Sequence, residues 1–106
     1  PPRSTLFPYT TLFRSAYDHW GAVELVQEAW RMGLGVPERF SLVTFNDEYP
    51  VERTCPSLTV VSGPTREMGR MAARMLLERI KRKRPPRHVV LPQSLTIRES
   101  TGPVPA

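Results

Sequence analysis

Four side chains could contact a small ligand, and each lies beside the end of a predicted element. Asp18 stands where a helix is expected to begin, and Trp20 follows in its first turn. Asn46 and Asp47 directly follow the short apolar run SLVTF. Carboxylate groups accept hydrogen bonds from hydroxyl groups, amide groups both accept and donate them, and the indole ring offers an apolar face for stacking. Three of them also have a structural explanation: an N-cap for Asp18, a loop turn for Asn46, and for Trp20 packing, which is the commoner role of a residue in the first turn of a helix.

Catalytic and metal chemistry find little support in the sequence. Cys55 is the single cysteine, and no base lies beside it in sequence, so an inert thiol is expected. His19 and His88 lack ligand partners at a useful spacing. We therefore predict no catalytic residue, no metal site and no cofactor, and we do not expect an enzyme.

The chain is basic overall, but its charge is divided unevenly. Its 106 residues carry a net charge of +5. Residues 16–64 hold seven acids and three bases, a net charge of −4, whereas residues 65–87 hold nine bases and two acids, a net charge of +7. The basic run KRKRPPR at residues 81–87 has no interleaved aromatics and no recognition motif. We interpret it as a solvated helix end whose cations complement the helix dipole, with phosphate binding as the less favoured alternative.

The positions of the helices and strands are predicted from the spacing of apolar residues and from residues that begin or end an element. An apolar stripe at helical spacing predicts a helix that Asp18 caps and Gly33 stops. The runs at 40–45 and 58–61 predict two short buried strands, separated by a polar loop. Alternation of helix and strand predicts an α/β fold with a parallel sheet. No apolar run has the length needed to span a bilayer.

A second helix is predicted from Pro64 to Arg84, with methionines on its apolar face and Pro85 beyond its end. The runs HVVLP (88–92) and SLTIRES (94–100) predict two further strands. The final residues, TGPVPA, are expected to fray.

Three separated motifs resemble the C-terminal part of the lactose-repressor/galactose-repressor family of bacterial transcription regulators. They are GLGVPERFSLVTFND (33–47), PSLTVVSGPTREMGRMAARMLLERI (56–80) and VVLPQSLTIREST (89–101). The chain departs from the family pattern at Arg39, where Asp is usual, at Thr44, where Gly is usual, and at Asn46, where the first Asp of Phe-Asp-Asp is usual. The third change bears on the class of ligand.

The resemblance implies a fragment of a two-lobed, periplasmic-binding-protein-like type I fold, in which a small molecule lies between the lobes. It implies an effector-sensing and dimerisation domain of a cytoplasmic regulator that binds a sugar or similar small molecule. The complete protein would be a homodimer that contacts DNA through an N-terminal domain absent from this chain, with no membrane partner. The alternative is a fragment of a periplasmic sugar-binding protein of a transporter.

The same resemblance assigns effector-binding positions. Asp18 matches a family Asn that faces the effector, and Asn46 matches an effector-binding Asp, with Asp47 beside it. Trp20 would stack on a sugar face. Gly63 falls where some members have a polar ligand contact, which Gly cannot supply.

Residues 1–15 have a separate interpretation. The stretch from Thr5 to Ser15 can be encoded, without a break, by the end of a common sequencing adapter. We predict that residues 1–15 are translated adapter and that residues 16–106 are the C-terminal part of the effector-binding domain.

Overall fold

The computed structural model describes residues 13–103, except for the side chain of Phe13. The described residues form four strands and two helices, in the order β1 (Phe13–Ala16), α1 (His19–Arg31), β2 (Ser41–Phe45), β3 (Thr59–Ser62), α2 (Thr65–Arg82) and β4 (Ser94–Thr96). The strands form one sheet in the order β1-β2-β3-β4, and β2 pairs in parallel with both β1 and β3. The predicted α/β class with a parallel sheet is confirmed. No helix in the described range is long and apolar enough to cross a membrane.

The chain divides into two compact units. The sheet unit comprises the described residues 13–62 and 95–103, and the helix unit comprises residues 63–94. The core lies in the sheet unit, where α1 packs on β1 and β2. Its buried apolar side chains are Ala22, Val26, Ala29, Val36, Leu42, Val51, Leu58 and Val60.

Helix α1 forms where its local signals predict it. The Asp18 carboxylate accepts a hydrogen bond from the Gly21 N–H at 2.9 Å, which satisfies one of the open N–H groups of the first turn. Ala22, Val26 and Ala29 recur at helical spacing and turn one face to the core. Gly33 then adopts a φ of +73°, a conformation that Gly reaches without steric cost.

The helix unit is built differently. Helix α2 ends at Arg82, two residues before the predicted end, because Lys83 takes the left-handed conformation. None of its residues is buried. The run at 88–92 forms no strand, so that prediction is wrong. Strand preference depends on packing against neighbouring strands, and an apolar run without such neighbours has little reason to form one.

The segment that follows β4 is anchored rather than frayed. The Ser100 hydroxyl donates to the Leu42 carbonyl of β2 at 2.6 Å and accepts from the Thr59 N–H of β3 at 2.8 Å. The Gly102 N–H donates to the Ser41 hydroxyl at 3.1 Å. The expected fraying is therefore wrong for residues 101 and 102, and the last three residues lie outside the described range.

The predicted artefact boundary at residue 15 falls within β1. Phe13, Arg14 and Ser15 pair with Ser41, Leu42 and Val43 of β2. A parallel ladder is made by backbone groups, so this pairing carries no information about where the residues came from. Residues 1–12 lie outside the described range, and the adapter origin of residues 1–15 stays a prediction.

Candidate functional site

The predicted site residues follow the carboxyl ends of two paired strands. β1 ends at Ala16 and β2 at Phe45, and Ala16 is paired with Thr44. The segments that follow these strands therefore start side by side: residues 17–20, which include the first two residues of α1, and residues 46–49. In open α/β sheets, ligands bind beyond the carboxyl ends of the strands. We call these two segments the edge site.

Asp18 performs the N-cap role predicted for it. One carboxylate oxygen accepts from the Gly21 N–H, and the Asp18 carbonyl accepts from the Ala22 N–H at 3.1 Å. Among the described residues the second carboxylate oxygen has no protein partner, so a ligand hydroxyl could still bind it. Ligand contact by Asp18 stays a prediction.

Trp20 lies on the surface, with 61% of its area exposed. Its only described ring contact is with the neighbouring His19, whose ring centroid is 4.9 Å away at an interplanar angle of 41°. Trp20 is therefore not buried among the described residues, and the packing expected as its structural role is limited to the contact with His19. Tyr17 and Tyr49 of the same two segments are also exposed, so aromatic surface is concentrated at the edge site. Stacking of a ligand on Trp20 stays a prediction.

Asn46 makes the turn that ends β2. Its φ is +74°, in the left-handed region that Asn tolerates better than most residues. Its N–H donates to the Val61 carbonyl of β3 at 3.1 Å, and the residue is exposed. The turn role is present, and it holds the amide side chain at the sheet edge. Ligand contact by Asn46 stays a prediction.

Asp47 has a partner that sequence reasoning missed. Arg98 donates from one guanidinium nitrogen to an Asp47 carboxylate oxygen at 2.9 Å and from the other to the Leu58 carbonyl at 3.0 Å. The two charged side chains are 31% and 18% exposed, for Asp47 and Arg98 respectively. The fork geometry of arginine suits this double role. Arg98 therefore orients Asp47 and leaves its second oxygen without a described partner.

A second contact that sequence reasoning missed joins the two segments of the edge site. His19 Nε2 lies 3.8 Å from a Glu48 carboxylate oxygen, and the His19 side chain is only 10% exposed. Its Nδ1 atom is buried and has no hydrogen-bond partner in the described part of the chain. Residues 29 positions apart in sequence give no local signal of such a contact; the pairing of β1 with β2 brings them together.

Glu99 anchors the segment after β4 to Ser57, which lies just before β3. The Ser57 N–H and hydroxyl donate to one Glu99 carboxylate oxygen at 3.1 and 2.9 Å. These two hydrogen bonds, the backbone one first, hold the pKa of Glu99 below its usual value. The segment that contains Arg98, the partner of Asp47, is thus fixed by the hydrogen bonds between Ser57 and Glu99.

Within the described residues, the edge site coincides with neither a metal-binding cluster nor the well-formed surface cavity of the sheet unit. No group of three or more His, Cys, Asp or Glu side chains could hold a metal ion there. A surface cavity of about 470 Å³ in the sheet unit touches none of the predicted site residues. Its walls are Arg14, Leu25, Glu28, Ala29, Met32, Leu34, Arg39 and Phe40. This mostly apolar lining offers few groups to fix the orientation of a polar ligand.

Comparison with known proteins gives a consistent result. Residues 14–101 match the family described as periplasmic binding protein-like domain. The chain is 40% identical over 82 residues to the HTH-type transcriptional repressor MelR of Bacillus subtilis (strain 168), covering 77% of this chain and 23% of that protein. The chain thus spans about a quarter of the length of the curated relatives it matches.

Solved structures share the fold. The transcriptional regulator CelR in complex with cellobiose superposes with a TM-score of 0.80 at 30% identity, covering 92% of this chain and 30% of that one. A LacI family regulator from Enterococcus faecalis V583 with bound ribose gives a TM-score of 0.83 at 26% identity, covering 94% and 38%. Together with the family match, these relatives show that the chain belongs to the periplasmic binding protein-like domain family, in the branch formed by the effector-binding domains of LacI/GalR transcriptional regulators.

Proposed function

We propose that this chain is part of the effector-sensing domain of a bacterial transcriptional regulator, and that the edge site binds part of a sugar or a similar small molecule. The observation that carries the proposal is the convergence of Asp18, Trp20, Asn46 and Asp47 beyond two paired parallel strands. Two of the solved relatives hold cellobiose and ribose, which supports a sugar as the class of ligand.

The chemistry of the edge site suits a polyhydroxylated ligand. Asp18 and Asp47 each use one oxygen within the protein and keep one for a ligand hydroxyl. The exposed Asn46 amide can both donate and accept. The apolar face of Trp20 can cover the C–H face of a sugar ring. Replacement of the usual family Asp by Asn46 removes one charge from the site, so hydrogen bonds there lose their charge-assisted strength.

The complete protein would couple effector binding to DNA affinity by shifting the closure of its two lobes. We further propose that it is a cytoplasmic homodimer whose DNA contacts come from a domain outside this chain. The relatives named above are regulators, which supports this function over a transporter's solute-binding protein and over an enzyme.

The two tryptophans permit a direct test. Both lie on α1, Trp20 at its start and Trp30 near its end, and Trp30 is 78% exposed and outside the edge site. Trp30→Phe leaves Trp20 as the fluorescent reporter, and Trp20→Phe leaves Trp30. In a titration with a panel of pentoses, hexoses and disaccharides, we expect a saturable emission change in Trp30→Phe and a much smaller one in Trp20→Phe.

A matched pair of second variants locates the response. Asn46→Ala and Asp47→Ala in the Trp30→Phe background are expected to weaken apparent affinity about tenfold each, the loss of one to two good hydrogen bonds. Glu52→Ala, an exposed acid outside the edge site, is expected to leave the affinity unchanged. Equal responses from both tryptophan variants, or no response to any sugar, would contradict a sugar site at this edge.

A further inference from the structure

The positive charge of this chain is concentrated in one exposed segment, α2 and the residues up to 87 that follow it. The nine bases between residues 65 and 87 are all exposed, and the same range contains two acids. Residues 16–64 have the opposite balance, with seven acids and three bases. A charge asymmetry of this size within 106 residues favours a partner that is itself a polyanion.

Part of this charge is ordered along one face of α2. Arg66, Arg70 and Arg74 recur every four residues, and Lys81 follows seven residues after Arg74. At 100° per residue these four positions fall within a narrow stripe, and at 1.5 Å per residue they span about 22 Å of helix. The methionines Met68, Met71 and Met75 fall in the adjoining sector of the same helix, about 60 to 120° from Arg74. We call Arg66, Arg70, Arg74 and Lys81 the basic stripe.

The basic stripe is not neutralised within the described part of the chain. None of its four cations lies within ion-pair distance of an acid there, and Glu78, one of the two acids on α2, pairs instead with Arg87 at 3.7 Å. Like charges four residues apart destabilise a helix slightly. A polyanion that binds along the stripe would remove this repulsion.

We propose that the basic stripe binds the phosphates of duplex DNA without reading its sequence. Duplex DNA presents regularly spaced negative charge along a rod. A straight row of cations is therefore more complementary to duplex DNA than to a compact acidic ligand. The stripe has no aromatic residues interleaved for base contact, so phosphate binding without sequence preference is what it can supply. The choice of DNA rests on the proposed function, since a regulator's DNA-binding domain would hold DNA near this surface at high effective concentration.

The test uses the 106-residue chain, taken from its monomeric size-exclusion peak, and a short labelled duplex of arbitrary sequence. Fluorescence anisotropy gives the affinity between about 50 and about 200 mM salt. The triple variant Arg66→Gln, Arg70→Gln, Arg74→Gln removes the regular part of the stripe with good helix formers. Its control, Arg31→Gln, Arg39→Gln, Arg53→Gln, removes the same charge from exposed positions of the sheet unit.

We expect the parent chain to bind with a steep salt dependence. The stripe variant should bind at least about tenfold more weakly at the lower salt. Its log–log slope should be less negative by about 2 to 3, since each phosphate that is no longer neutralised removes about 0.9 from the slope. The control variant should keep most of both the affinity and the slope. Far-UV circular dichroism checks that both variants retain their helices.

Three results would overturn the stripe as a DNA-phosphate site: no binding by the parent chain, an equal loss of affinity in the control variant, or competition by polyglutamate as effective as that by unlabelled duplex. The last result would indicate an acidic protein partner instead. A sugar response at Trp20 with no DNA binding would reject the stripe while leaving the proposed function standing.

Discussion

The sheet unit and the helix unit differ in what they bury. The sheet unit has a contiguous apolar core in which Leu42, Leu58 and Val60 are fully buried. The helix unit consists of an 18-residue helix with no buried residue, followed by a segment without regular secondary structure. On α2, Leu76 and Ile80 are 60% and 65% exposed although they lie on or beside its apolar face.

The difference shows that amphipathicity and burial are separate properties. Both helices have apolar residues at helical spacing, but among the described residues only α1 buries some of them. A helix gains most of its stability in a protein from packing of its apolar face. The apolar face of α2 is exposed within the described residues, so its spacing alone does not produce burial.

The largest expected effect is a difference in stability when one leucine in each unit is truncated to alanine. Leu42→Ala should lower the free energy of unfolding by about 2 to 5 kcal/mol, because it removes a fully buried side chain and leaves a cavity. Leu76→Ala on α2 should change it by less than about 0.5 kcal/mol. Urea denaturation followed by circular dichroism measures both. Equal losses of unfolding free energy in the two variants would show that α2 is packed in solution, and would contradict the difference in burial between the two units.

A smaller effect is expected at the hydrogen bonds that close the sheet unit. Ser100→Ala leaves the buried Thr59 N–H without its acceptor and should cost about 1 to 3 kcal/mol. Thr65→Ala, at an exposed position in the first turn of α2, is the matched loss of a hydroxyl and should cost little. A Ser100→Ala protein as stable as its parent would mean that the segment after β4 does not hold the sheet together.

The smallest effect is a pH dependence confined to the sheet unit. Because folding lowers the pKa of Glu99, its contribution is fully present above its unfolded value near 4.5 and is lost as the pH falls through the lower folded value. Between about pH 6 and pH 3 the parent should therefore lose slightly more stability than Glu99→Gln. Urea midpoints at the two pH values test this. Glu52→Gln, exposed and outside this network, serves as control and should keep the full pH dependence of the parent; if it matches Glu99→Gln, the effect is not local.

Sequence reasoning located most elements but not their contacts. The cap at Asp18 and the stop at Gly33 were predictable because each acts on backbone groups within four residues. The strand predicted at 88–92 failed because its apolar residues have no described partner strand. At the edge site, the sequence pointed to Asp47 but gave no sign of Arg98, which lies 51 residues away and holds it.

By itself, the sequence determined the α/β alternation, the two amphipathic helices, the family membership and the division of charge, since these depend on residue order and short-range spacing. The tertiary structure alone decided that His19 meets Glu48, that Arg98 orients Asp47 and that Ser100 bridges β2 and β3. Those contacts arise only once parallel pairing has aligned distant segments. The same physical reason explains why α1 buries one face: the sheet face of β1 and β2 must be present before its apolar stripe can be covered.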